Sequence, residues 1–92
     1  ADTGRGTQLV MIQTQEAIPS ADTLMQCCNL TKREAEVLYW VALGKTNRDI
    51  GEILELSPRT VNKHLEHIFS KLNVETRTAA VASALGKARG NR

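Results

Sequence analysis

The sequence predicts an all-α fold of four helices, preceded by an extended N-terminal linker that carries a short helix of its own. Three observations predict it. In SPRTVNKHLEHIFSKLNV (57–74), Val61, Leu65, Ile68 and Leu72 fall at i, i+4, i+7 and i+11, one face of a helix. Capping residues mark the starts: Thr31 has Glu34 three positions later, and Ser57 precedes Pro58. Between these starts, a helix, a shorter helix, a brief turn and a third helix follow in the order of a helix-turn-helix unit.

The elements follow in turn. Residues 1–8 are polar and glycine-containing, and LVMI (9–12) is a short apolar run that suits a strand. Ile18-Pro19-Ser20 breaks the chain, and Ser20 can cap a short helix over 20–28 with Leu24, Met25 and Cys28 on its apolar side. Thr31 and Glu34 form a capping box for the next helix, LTKREAEVLYWVAL, whose Ala35, Leu38, Val41 and Ala42 share a face. Gly44 ends it, since glycine accepts the left-handed cap conformation. Thr46 or Asn47 caps the second helix, NRDIGEILE, with Ile50, Ile53 and Leu54 inward. Ser57 caps the third, and Pro58 takes its first position, where a missing N–H costs nothing. That helix runs to about Asn73, and TRTAAVASALGKA forms a fourth. Leu38, Val41, Ile50, Ile53, Val61, Leu65, Ile68 and Leu72 are the expected core, with Ile50, Ile53, Leu56 and Val61 meeting where the second and third helices cross. Trp40 lies off this stripe and is expected to be partly exposed.

Bulk properties exclude several classes. Ninety-two residues make one small domain, and the chain begins without Met, so a piece of a longer protein is expected. No apolar run approaches the roughly 20 residues of a membrane span, and the first residues do not resemble a secretory signal. Cys27 and Cys28 are adjacent, which opposes relaxed disulfide geometry. A reduced pair in the cytoplasm is the expectation. Net charge is −2 over residues 1–30 and +4 over 31–92, so the basic part suits a polyanion. Nothing pairs a nucleophile with a base, cradles a phosphate in glycines or assembles a metal cluster, so the chain is expected to be no enzyme and to need no cofactor.

The segment LTKREAEVLYWVALGKTNRDIGEILELSPRTVNKHLEHIFSKLNVETRTAA closely resembles the DNA-binding domain of LuxR/NarL/FixJ-type bacterial transcription regulators. The signature is spread over about 50 residues, Leu30 to Ala80: LTxREAEVL, G-K-T-N-x-D-I, S-x-x-T-V-x-x-H-x-x-x-I-x-x-K-L and R-T. The resemblance implies a four-helix domain at the C-terminal end of a response regulator or another sensor-linked regulator, its third helix in the major groove and its fourth in dimerisation. On that reading residues 1–29 are a linker or the remnant of an upstream sensory or receiver domain. Residues 30–86 are the helix-turn-helix domain, and 87–92 are a basic tail.

Carried over by position, the resemblance assigns base contacts to Arg59, Asn62, Lys63 and Glu66, with His67 at the margin. The residue types fit: Arg or Lys suits guanine O6 and N7, and Asn suits adenine. Glu66 departs from the family's frequently basic or neutral position. It can accept from cytosine N4, or tune Lys63 through an i, i+3 pair. Lys45, Thr46 and Asn47, at the start of the second helix, suit phosphate, where unpaired N–H groups favour an anion. The resemblance adds Thr60, His64 and Lys71 to the phosphate contacts. Ala79, Ala82 and Leu85 of the fourth helix are its dimerisation residues. His64 and His67 lie three apart, but no Cys or carboxylate is obviously placed to complete a metal site, so none is expected.

The expected partners are therefore double-stranded promoter DNA and a second copy of the chain. The competing reading is a protein-interaction module of the same fold that docks RNA polymerase or a sensor domain.

Overall fold

The computed structural model describes residues 18–90. The strand expected over LVMI lies outside the described residues. Among the described residues five helices follow one another: α1 (Ala21–Cys28), α2 (Lys32–Ala42), α3 (Asn47–Leu54), α4 (Pro58–Leu72) and α5 (Arg77–Ala88). Helices α2 to α5 are the four expected from the sequence, and α1 is the short one ahead of them. The fold is all-α, as predicted.

Each start is closed by a side chain that accepts from a first-turn N–H. Ser20, Thr31, Thr46, Ser57 and Thr76 fill this role, and Thr31–Glu34 and Thr46–Asp49 form reciprocal capping boxes. Pro58 occupies the first turn of α4. The ends use left-handed residues. Gly44 (φ 88°) follows α2, where its N–H reaches Val41 O at 2.9 Å and the Lys45 N–H reaches Trp40 O at 3.0 Å. This pair of bonds is a Schellman closure. Asn29, Glu55 and Asn73 end α1, α3 and α4 with φ of 57°, 60° and 58°.

Leu24, Cys28, Leu30, Ala35, Val37, Leu38, Val41, Ile50, Val61, Leu65, Ile68, Leu72, Ala80 and Ala84 make one continuous core. Helix α1 belongs to this body: it packs on α2 and α5, and Leu24 and Cys28 are buried. The resemblance implies a linker or upstream remnant over residues 1–29, yet α1, within that stretch, packs into the core. Helix α5 runs to Ala88, so the first two residues of the expected tail are helical.

Ile53 departs from the expected core, at 43% exposed. Helix α3 packs chiefly on α4, and its inward side is Ile50, Gly51 and Leu54. At about 100° per residue, Ile53 lies about 110° from the centre of that stripe and turns to solvent. Gly51 takes the place at the corner. A Cβ there would collide with the carbonyl oxygen of Leu56, whose own N–H bonds to Gly51 O at 2.8 Å. The close crossing of α3 and the turn therefore requires glycine. Trp40 is half-buried, edge-on to Tyr39 with ring centroids 5.1 Å apart.

Candidate nucleic-acid interface

Helix α4 is anchored by Val61, Leu65, Ile68 and Leu72, all buried, so its opposite face is held outward. Arg59, Thr60, Asn62, Lys63, Glu66, His67 and Lys71 are exposed, and His64 is half-buried. Arg59, Thr60 and Lys63 frame a cleft of about 210 Å³ at the start of the helix. The first turn contains no acidic residue, Pro58 has no N–H, and Thr60 N–H is spent on Ser57 Oγ at 3.1 Å. The Arg59 N–H and the positive end of the helix dipole remain to face an anion.

Glu66 pairs differently from the expectation. Its Oε2 accepts from Asn62 Nδ2 at 3.3 Å, one turn back along the helix. The i+4 partner prevails because residues four apart stack on nearly the same line, whereas Lys63 can extend into water. The carboxylate thus sits between two of the expected base-reading side chains and orients one of them.

At the far end of the face, Lys71 Nζ lies 2.8 Å from Glu34 Oε1, and His67 Nδ1 lies 3.5 Å from Oε2. Glu34 is 4% exposed and also accepts from Thr31 N–H in the capping box of α2. Burial pushes its carboxyl up. The hydrogen bonds from Lys71 and Thr31, with the charges of Lys71 and His67, outweigh that and hold it below its ordinary value. Lys71 therefore ties α4 to α2, a contact that joins residues 37 apart in sequence. Pattern reading had no signal for it, since Glu34 announced itself only as a cap.

Lys45, Thr46 and Asn47 stand together in the turn that opens α3, and the first two are exposed. Thr46 N–H donates to Asp49 Oδ2 at 3.3 Å, and Asp49 N–H donates to Thr46 Oγ1 at 3.1 Å. The N–H groups of Asn47 and Arg48 are left without intrahelical acceptors. A further residue holds this turn from outside it. Arg77 Nη1 donates to Asn47 Oδ1, and Nη2 donates to the Lys45 carbonyl at 2.8 Å. Arg77 belongs to the R-T element of the signature, but spacing alone gave it no role.

Of the dimerisation candidates, Ala82 is exposed, and Ala79 and Leu85 are half-buried. Ala82 and Leu85 line a largely apolar groove of about 700 Å³ between α5 and the end of α2, with Val41, Val81 and Arg77. Among the described residues no three His, Cys, Asp or Glu side chains gather to hold a metal, and no helix is long and apolar enough to cross a membrane.

The chain is similar in sequence to known proteins. Residues 28–84 match the GerE family, described as bacterial regulatory proteins of the luxR family. The chain is 50% identical over 56 residues to the transcriptional regulatory protein LiaR of Bacillus subtilis, covering 61% of this chain and 26% of that protein. It is 52% identical over 56 residues to the quorum sensing-dependent transcriptional regulator RpaR of Rhodopseudomonas palustris, covering 61% and 23%. For the transcriptional activator protein SolR of Ralstonia solanacearum the identity is 46% over 56 residues, covering 61% and 24%. The matched region thus spans about a quarter of each of these relatives. No solved structure matches the chain. With a family match over more than half of its length, on the segment that folds as α2 to α4 and the first part of α5, the chain belongs to the luxR family of bacterial regulatory proteins.

Proposed function

We propose that this chain is the DNA-reading part of a cytoplasmic transcription regulator, binding promoter DNA sequence-specifically with α4 in the major groove. The observation that carries this is the division of α4. A fully buried stripe fixes its rotation, and the opposite face presents Arg59, Asn62 and Lys63 around a non-acidic helix start. A side chain read by base edges must be both exposed and rigidly aimed, and this division supplies both. Arg59, Asn62, Lys63 and Glu66 read bases, with His67 at the edge. Lys45, Thr46, Asn47, Thr60 and His64 face phosphates, which position the domain without reading sequence. Lys71 joins them only by leaving Glu34.

Two copies pair through α5 on a twofold site. Support comes from the apolar groove beside α5, whose Ala82 is small and exposed enough for a second helix to approach. No catalysis is involved.

Selection of bound sequences from a random DNA library tests the reading, since it reports specificity and half-site symmetry together. The selected duplex should bind with an affinity that falls steeply with salt, and Lys63→Ala should weaken it. Binding that ignores salt and survives Lys63→Ala unchanged would remove the reading. The competing one, docking of a polymerase subunit or sensor domain, predicts chemical-shift changes centred on α5 and Trp40 in place of residues 58–67.

A further inference from the structure

We infer that Arg77 is a positioning residue for DNA binding: it acts through the Lys45–Asn47 turn and does not itself touch the nucleic acid. The inference rests on the DNA-binding reading and goes beyond the residues assigned there.

The turn between α2 and α3 must present two things at once, the Lys45 side chain and the unspent N–H groups that open α3. Its own bonds fix only its two ends. On the α2 side, the Gly44 and Lys45 N–H groups bond to Val41 O and Trp40 O. On the α3 side, Thr46 and Asp49 cap each other. The joint between these two ends is the Lys45–Thr46 peptide, whose carbonyl accepts from neither cap.

Arg77 closes that joint from a third element. One guanidinium nitrogen bonds to the Asn47 side chain and the other to the Lys45 carbonyl, so a single planar group grips the chain on both sides of Thr46. The contacts join residues 30 and 32 apart in sequence. Two acceptors held at fixed spacing suit the rigid fork of an arginine. A lysine ammonium, as a point charge on a flexible stem, can satisfy one of them but not both in that geometry. Two of the five guanidinium N–H donors are committed to protein acceptors, one on each terminal nitrogen, which holds the group against the turn. Asn47 is held by its oxygen, so its amide N–H donors stay available, as a phosphate contact requires.

The test uses the 92-residue chain and fluorescence anisotropy on a random-sequence duplex and on a library-selected duplex. The variants are Arg77→Ala, Arg77→Lys, Asn47→Ala and the double variant Arg77→Ala/Asn47→Ala, all measured well below their melting temperatures. Both Arg77 variants should weaken binding, by roughly 2- to 30-fold, as changes outside the contact surface do. The double variant should lose less than the two single losses combined, since both act on one contact. In the free protein, Arg77→Lys should shift the amide resonances of residues 45–48 and leave those of 59–67 in place. Three results overturn the inference. Full affinity in Arg77→Lys would mean that charge alone matters, as for a direct phosphate contact. Strict additivity with Asn47→Ala would mean independent roles. Unchanged affinity in folded Arg77→Ala would mean a purely structural tie. If Arg77→Ala fails to fold, Arg77→Lys and Asn47→Ala still decide. If the unsubstituted chain binds neither duplex, the DNA-binding reading itself fails, whereas binding without an Arg77 effect removes only this inference.

Discussion

Asn62 and Glu66 are hydrogen-bonded to each other on the exposed face of α4, amide nitrogen to carboxylate at 3.3 Å. On the face proposed to meet DNA, an acidic residue costs affinity unless it is put to use. Here it takes one of the two amide protons of Asn62 and so sets which way that amide points. Glu66→Ala should therefore change the preferred sequence more than it weakens binding. Discrimination at the base facing Asn62 should move by about 1–3 kcal/mol, while the phosphate-driven part of the affinity is kept or improved. Sequence selection with the variant and the unsubstituted chain checks this. Equal weakening on every sequence would sink it.

Glu34 gives the fold an acid limit. Its folded carboxyl sits below its ordinary value, so its contribution to stability is present above the unfolded value, about 4.3, and is lost as pH falls through the folded one. Melting temperature should thus be flat near neutral pH and fall below about pH 4.5. Glu34→Gln should cost about 1–3 kcal/mol at pH 7, since it removes a charged acceptor from Lys71 while Lys71, partly exposed, can turn to water. It should also flatten the acid limb. Urea denaturation at pH 7 and pH 4 measures both effects, and an acid limb identical in the variant would assign the acid limit to other carboxylates.

Gly51→Ala tests the corner. Helix propensity alone favours alanine by about 1 kcal/mol, but the added methyl would collide with the Leu56 carbonyl. The backbone must move to relieve it, so a net loss of about 1–3 kcal/mol is expected. DNA binding should weaken as well, since α4 hangs from this turn. A variant more stable than the parent would show that α3 and the turn can separate cheaply.

The vicinal cysteines should differ in reactivity although their sulfurs are 3.3 Å apart. Burial first, then the hydrogen bond and charge of Cys27, push the Cys28 thiol from 9.0 up to about 12. At pH 8 only about one Cys28 in ten thousand is thiolate. Iodoacetamide should therefore modify half-buried Cys27 first, which fragmentation mass spectrometry can assign. A raised thiol value also places a stability contribution that is fully present below about pH 9 and is lost as pH rises toward 12. Faster labelling of Cys28 would contradict its burial.

Much of this molecule was legible in its sequence because the information is local. Caps at Ser20, Thr31, Thr46 and Ser57 work through N–H groups three residues away, and Gly44 ends α2 through its own backbone freedom. The stripe of Val61, Leu65, Ile68 and Leu72 follows from helical periodicity, and with it the outward aim of Arg59, Asn62 and Lys63. What tertiary structure decided depends on partners far along the chain. Ile53 fits the helical period but largely faces solvent, because among the described residues α3 leans chiefly on α4. Glu34 reads as a cap and proves also to be the buried anchor of Lys71 and His67. Arg77 reads as a charge at a helix start and proves to grip a turn 30 residues away. Periodicity and capping act over one helical turn, whereas the choice of partner for an ion or a fork of donors is made only when packing brings separate helices together.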